Sequence, residues 1–415
     1  MRLKSQIERL LIAGEKFTRI DLRYVLGGGS WVLGSQLIGV ATALLLAIGY
    51  AHFLPKEVYG TYKYVLSIVG ILSLFALPGM DGGAIRGLAQ GKDQVFWDSF
   101  RLKLKGGVVA AACCAAIALY YFAKGDHMLA LILGATAPFL IGLEALSHYN
   151  ALLQGKKMFR ESSIYGTIQQ VLFAIILLTT AILTNNIFII VMVYMISSIL
   201  FRGIFFLHIT SKVHLNNIPD DESLTFAKHL SASAMLGTVS SRMDSILLFH
   251  FLGPVPLAIY SFARAAVDNL QNSFKIITTT LAFPKMAAQD KEVIKRTLGR
   301  KVLIAHAVTV PVAIGVIFLI PYVYQLLFPQ YLESIIYAQA MTGLLAFSPL
   351  RLISTAVTTK ASTKYLYILT TSSSVAGTIL LFIFVPIWGI WGVIVAAALQ
   401  QTISNSIGFY LFKKM

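Results

Sequence analysis

Twelve runs of mostly apolar residues follow one another along this 415-residue chain, each near the ~20 residues that a helix needs to cross a bilayer. They cover 30–53, 60–82, 105–123, 128–150, 162–184, 187–208, 228–250, 256–282, 301–320, 331–350, 364–384 and 388–411. In hydrocarbon no water can satisfy a free backbone N–H or C=O, so runs of this length must be helical. Composition agrees. Only 13% of residues are charged and 57% are hydrophobic, whereas a soluble domain carries about 25% charged residues. The expected fold is therefore all-α and membrane-integral. The second, seventh and eighth runs are the least apolar. Connections are short throughout, which excludes an appended soluble catalytic or nucleotide-binding domain.

The net charge of +16 would suggest nucleic acid in a soluble protein. Here its distribution points to topology instead, and no nucleic-acid partner is expected. Of the 34 Lys and Arg residues, 28 fall in the N-terminal segment and every second connection, and 2 (Lys56 and Lys124) in the alternate connections. Basic residues mark the cytoplasmic side, so both termini are expected there, with an even number of spans. The remaining four, Lys63, Arg242, Arg264 and Lys275, lie inside apolar runs. Residues 1–29 form a leader with Leu3, Ile7, Leu10, Leu11 and Phe17 at helical spacing among basic residues. That pattern suits a helix lying on the membrane lipids, with a plain solvated leader as the alternative. It is no signal peptide, because it lacks an uninterrupted apolar core. Cys113 and Cys114 are adjacent and point in different directions on a helix, so both read as packing residues.

A repeat divides the chain. "FLPKEVYGTY" (53–62) and "FLGPVPLAIY" (251–260) share Phe-Leu, seven intervening residues and then Tyr, and "ALPGM" (76–80) matches "AFPKM" (282–286). This predicts two six-helix bundles of the same orientation, 30–208 and 228–415, joined by a cytoplasmic linker at 209–227. Parallel halves about a cleft are a transporter plan. Pro78-Gly79 and Pro284 stand at matched places and are candidate gating hinges, since each breaks helical hydrogen bonding.

The segment 53–93, with Leu54, Tyr59-Gly60, Gly79, Gly82, Gly83 and Arg86, resembles the opening of the bacterial polysaccharide flippases, which belong to the multidrug/oligosaccharidyl-lipid/polysaccharide exporter superfamily. "ALLQGKKMFRESSIYGTIQQ" (151–170) is similar to that family's loop after the fourth span. "SSRMDSILLFHFLGPVPLAIYSFARAAVDNL" (240–270) is similar to the start of its second half. Gly253-Pro254-Val255-Pro256 departs from the more usual acidic or small-residue turn and is expected to be rigid. The resemblance implies twelve spans in two bundles around a central cavity, in a bacterial inner membrane. It also implies transport of a polyprenyl-diphosphate-linked oligosaccharide, such as an O-antigen or exopolysaccharide repeat unit, to the outer leaflet. The glycan polymerase and chain-length machinery would be its partners.

Charged side chains at membrane depth are costly and either pair or line a polar path. At about 1.5 Å per residue, Arg242 and Arg264 lie at matched depth on consecutive helices. With Lys275 and Arg86 they are the candidate substrate-binding residues, because guanidinium forks suit phosphate oxygens. Arg264 and Asp268, four apart, can instead neutralise one another. Arg242 and Asp244, two apart, cannot pair along the helix, so Asp244 is expected to face another neighbour. Asp244, Glu144 and Asp268 are the coupling-ion candidates, for protons or sodium, and His148 could pair with Glu144. Lys275 could equally snorkel to the headgroups, and Lys63 reads as an interface anchor. No catalytic constellation, metal-ligand spacing or phosphate loop appears, so neither enzyme activity nor a cofactor is expected. The expectation is a flippase working by alternating access. The alternative is a cation-coupled multidrug exporter of the same superfamily, which would want an acidic, aromatic cavity.

Overall fold

The computed structural model describes residues 22–277, 286, 289–360 and 363–414. The leader's apolar stripe and Pro284 therefore lie outside the described residues, as does the side chain of Lys275. Among the described residues there is no strand. In the first half the helices are α1 (Leu22–Phe53), α2 (Lys56–Leu72), α3 (Met80–Ala89), α4 (Gln94–Ala123), α5 (His127–Thr136), α6 (Phe139–Leu146), α7 (Tyr149–Gly155), α8 (Phe159–Leu183) and α9 (Ile187–Lys212). In the second they are α10 (Asp221–Leu252), α11 (Pro254–Ile277), α12 (Lys291–Leu327), α13 (Ser334–Gly343), α14 (Arg351–Lys360) and α15 (Thr363–Lys414).

Among the described residues, eight segments are long and apolar enough to cross a membrane, nine with the bent α5–α7 pair. α15 is two helices joined at Gly389, whose φ of 56° only a residue without a Cβ adopts readily. The remaining expected runs, the seventh and eighth, are α10 and α11. Both are helical, but their polar residues keep them below that apolarity.

Local chemistry explains the breaks. The second run stops being α-helical at Leu72, passes through a 3-10 turn, reverses at Leu77 (φ 54°) and restarts at Met80 after Pro78-Gly79. Gly253 ends α10 at φ 85°, and Pro254 opens α11, the usual order of glycine after a helix and proline at the start of one. Asp126, Asn186 and Asp220 cap α5, α9 and α10 with side-chain oxygens that accept from backbone N–H groups.

The halves touch at both ends. At the end bearing few basic residues, Gly60 of α2 lies flat on the Pro254 carbonyl, and Tyr59 packs on Phe262 with ring centroids 4.8 Å apart. Lys56 pairs there with Glu333 at 3.3 Å. At the basic end α3 packs on α10. The Gly79 N–H donates to Ser231 Oγ at 3.0 Å, Gly83 rests on Ala227, Arg86 pairs with Glu222, and Lys92 lies 3.4 Å from Asp220. A helix with Gly at 79, 82 and 83 can come this close because no side chains intervene.

Candidate transport site

Between these two contacts, charged side chains from both halves converge. Lys63 of α2 lies within electrostatic reach of Arg242 of α10, of Arg264 and Asp268 of α11 and of Tyr194 of α9. Tyr194 in turn lies near Arg202 and Glu144. Arg242 runs along α2 where Gly70 leaves room for it: a Cβ at Gly70 would stand 3.2 Å from Nε.

These groups sort into pairs and a remainder. Arg264 bridges two carboxylates, pairing with Asp244 through one guanidinium nitrogen and with Asp268 through Nε at 3.2 Å. Asp244 is buried and also accepts from the Tyr260 hydroxyl at 2.5 Å and from the Ser245 N–H. Arg202 and Glu144 approach to 3.5 Å. Among the described residues, Lys63 and Arg242 have no carboxylate within ion-pairing distance, so these two positive charges, one from each half, have no ion-pair partner.

Several sequence expectations change here. The Arg264–Asp268 pair is present, but Asp244 belongs to it as well, because α10 and α11 lie side by side and bring residues 20 apart together. Lys63 is more than an interface anchor, since it lies within electrostatic reach of Arg242 and Arg264. Glu144 and His148 do not pair. α6 ends at Leu146 and His148 caps the next helix, so the spacing of four no longer places them on one face. His148 instead bonds Asp81 at 2.6 Å, next to the buried Lys103, which reaches both Asp81 oxygens at 2.7 and 2.8 Å. Arg86 lies at the basic end with Glu222, its guanidinium 5.2 Å from the Phe226 ring centroid, and away from the central cluster. Sequence reading missed Tyr194, Tyr260 and Arg202; Tyr260, one turn before Arg264, was the one with a readable signal.

A cavity of about 370 Å³ opens inside the second half from the face of Arg264 and Asp268. No group of three or more His, Cys, Asp or Glu side chains that could hold a metal ion occurs among the described residues.

By sequence, residues 25–289 match the family described as "Polysaccharide biosynthesis protein". No curated protein matches the chain by sequence. Among solved structures it is similar to the lipid II flippase MurJ in an inward closed conformation, with a TM-score of 0.69 and 15% identity over 93% of this chain and 87% of that one. An inward-facing multidrug resistance MATE family transporter of the MOP superfamily matches with a TM-score of 0.67 and 15% identity, over 91% and 94% of the two chains. A MOP superfamily transporter from Pyrococcus furiosus, described as having a binding pocket of reversed polarity, matches with a TM-score of 0.61 and 15% identity, over 92% and 93%. Identities this low speak to fold. Together with the apolar helices, they show a multi-pass membrane protein with the fold of these transporters. The chain belongs to the polysaccharide biosynthesis protein family, which matches it over residues 25–289.

Proposed function

We propose that the protein moves a polyprenyl-diphosphate-linked oligosaccharide repeat unit across a bacterial inner membrane by alternating access, with the basic end and both termini in the cytoplasm. The observation that carries this reading is Lys63 and Arg242, both without an ion-pair partner and presented by opposite halves of the bundle. Two cations without ion-pair partners at membrane depth are costly unless an anion visits them, and a diphosphate supplies acceptor oxygens for both. The lipid tail stays in the bilayer while the headgroup crosses between the halves. The family match and the MurJ-like fold support a lipid-linked glycan as cargo. A cationic drug would meet like charge here, which counts against multidrug export.

Arg264 joins the substrate contacts only when it leaves one of its carboxylates, and Arg86 serves the basic-end contact. Lys275 remains a substrate-binding candidate on the sequence argument alone. Asp244, Asp268 and Glu144, each paired with an arginine that cargo could draw away, are the coupling-ion candidates, for a proton or sodium. The break at Pro78-Gly79 is the proposed hinge, with Pro284 as its counterpart. A glycan polymerase with its chain-length machinery would consume the product.

The test is export of lipid-linked glycan in cells. Arg242→Ala with Arg264→Ala, and separately Lys63→Ala with Arg242→Ala, are expected to abolish it at normal protein levels. Undiminished export by both would remove the cationic-site mechanism.

A further inference from the structure

The cavity inside the second half has a character unlike the central cluster. α10, α11, α14 and both parts of α15 line it, and polar side chains dominate its wall. They are mainly hydroxyls and amides, with Ser240, Ser373, Gln400, Gln401, Ser404 and Asn405 facing one another across the space. Its formal charges cancel, since Arg264 and Arg351 stand against Asp244 and Asp268. A cleft between helices that is meant only to pack would be filled with small apolar residues. Here the space is lined mostly by polar side chains instead.

Two groups in it lack partners. The Asn405 Nδ2 is buried and makes no hydrogen bond, and a buried donor left unpaired costs about 1–3 kcal/mol. Arg351 has no carboxylate within ion-pairing distance among the described residues, so its fork of donors is open to the cavity. The volume corresponds to about a dozen waters at ~30 Å³ each. That lies at the low end of the ~300–1,000 Å³ typical of small-ligand sites, with room for a sugar ring but not for a long oligosaccharide.

We infer that this cavity is a subsite for an uncharged, hydroxyl-rich sugar of the cargo. The inference rests on the glycolipid reading above and deepens it. Charge neutrality sets it apart from the Lys63–Arg242 pair, which suits phosphate. Amides and hydroxyls that both donate and accept match vicinal sugar hydroxyls, and the orphaned Asn405 donor and the open Arg351 fork supply the hydrogen bonds a sugar oxygen would accept. Arg242 stands two residues before Asp244 on α10, and Asp244 lines the cavity and pairs with Arg264, so the two subsites adjoin. A diphosphate at Lys63 and Arg242 therefore places the first sugars at the cavity mouth.

The experiment uses the full-length protein in lipid nanodiscs and two kinds of probe. Farnesyl diphosphate carries the charge without sugar. Lactose and N,N′-diacetylchitobiose carry neutral sugar without charge. Saturation-transfer NMR reads the sugars, and displacement of labelled farnesyl diphosphate reads the other site. The unmodified protein is expected to transfer saturation to at least one disaccharide. Gln401→Leu with Asn405→Leu is expected to weaken that transfer at least tenfold and leave farnesyl diphosphate binding within twofold. Ser404→Ala, a milder change that keeps the fold, should weaken it several-fold. Lys63→Gln with Arg242→Gln should do the reverse, losing the diphosphate and keeping the sugar. Absence of transfer to either disaccharide, or transfer that survives the cavity variants, overturns the subsite. Sugar binding without any farnesyl diphosphate binding would support the subsite and count against the diphosphate reading.

Discussion

Replacing Gly60 by alanine should bias which end of the bundle is open. A Cβ at Gly60 would stand 1.9 Å from the Pro254 carbonyl oxygen and 2.5 Å from its carbon, where ordinary contact begins at 3.4 Å. The obstacle is backbone at the start of α11, which no rotamer change can move aside. α2 and α11 must separate by about 1.5 Å, the difference between the two oxygen distances. Overpacking of this kind costs about 1–3 kcal/mol, and the whole cost falls on the state closed at that end. At 1.4 kcal/mol per tenfold, about 1–3 kcal/mol shifts the populations ~5–140-fold. α2 itself does not suffer, because alanine is the better helix former by about 1 kcal/mol. Gly83→Ala is the mirror test: its Cβ would meet Ala227 Cβ at 2.4 Å and the Ser223 carbonyl at 2.7 Å, at the basic end. Spin labels at Glu57 and Leu332 report one end, and labels at Gln90 and Asp221 the other, by double electron–electron resonance. Gly60→Ala should lengthen the first distance only, and Gly83→Ala the second only. A well-folded Gly60→Ala protein with both distributions unchanged would refute the idea that these glycine contacts hold the ends shut.

Three further expectations follow from the ion pairs and the caps. Asp220 caps α10; its burial raises the carboxyl's pKa, but hydrogen bonds from Ser223 and the nearby Lys92 outweigh that and hold it below the ordinary carboxylate value. Its contribution is therefore complete above that ordinary value and lost as the pH falls through the lowered one. Protection factors for hydrogen exchange at 221–226, corrected for the intrinsic pH dependence of exchange, should fall on acidification, and Asp220→Ala, costing about 0.5–2 kcal/mol, should abolish that change. Lys103→Met should lower stability by about 1–3 kcal/mol in thermal unfolding, by leaving Asp81 with His148 alone, and adding Asp81→Asn should recover part of the loss. Asp244→Asn keeps the shape and the Tyr260 bond but leaves Arg264 only Asp268, and should cost a similar ~1–3 kcal/mol in the same assay.

Much of the fold was legible because the bilayer imposes a length and a polarity on every span. The runs 364–384 and 388–411 were parted only by Val385-Pro386-Ile387, and the structure puts the break just beyond, at Gly389, where the backbone turns through a positive φ. The in-span charges were legible as a set, since Lys63, Arg242 and Arg264 stand out from apolar surroundings. Their pairing was not. Spacing along one helix reports only residues three or four apart, which is why Arg264–Asp268 was readable and Asp244–Arg264 was not. The same limit hid the bond between His148 and Asp81, which are 67 residues apart. Starting the second run at residue 60 also put Lys63 near the boundary, whereas α2 begins at Lys56 and carries Lys63 to within electrostatic reach of Arg242.

The most direct measurement is transbilayer movement in proteoliposomes of a polyprenyl-diphosphate disaccharide carrying a fluorescent tail. The unmodified protein is expected to equilibrate it between leaflets, and Lys63→Gln with Arg242→Gln to slow it at least a hundredfold in protein that still shows both end-to-end distances. Movement at the unmodified rate by that variant would contradict the role assigned to the two cations without ion-pair partners.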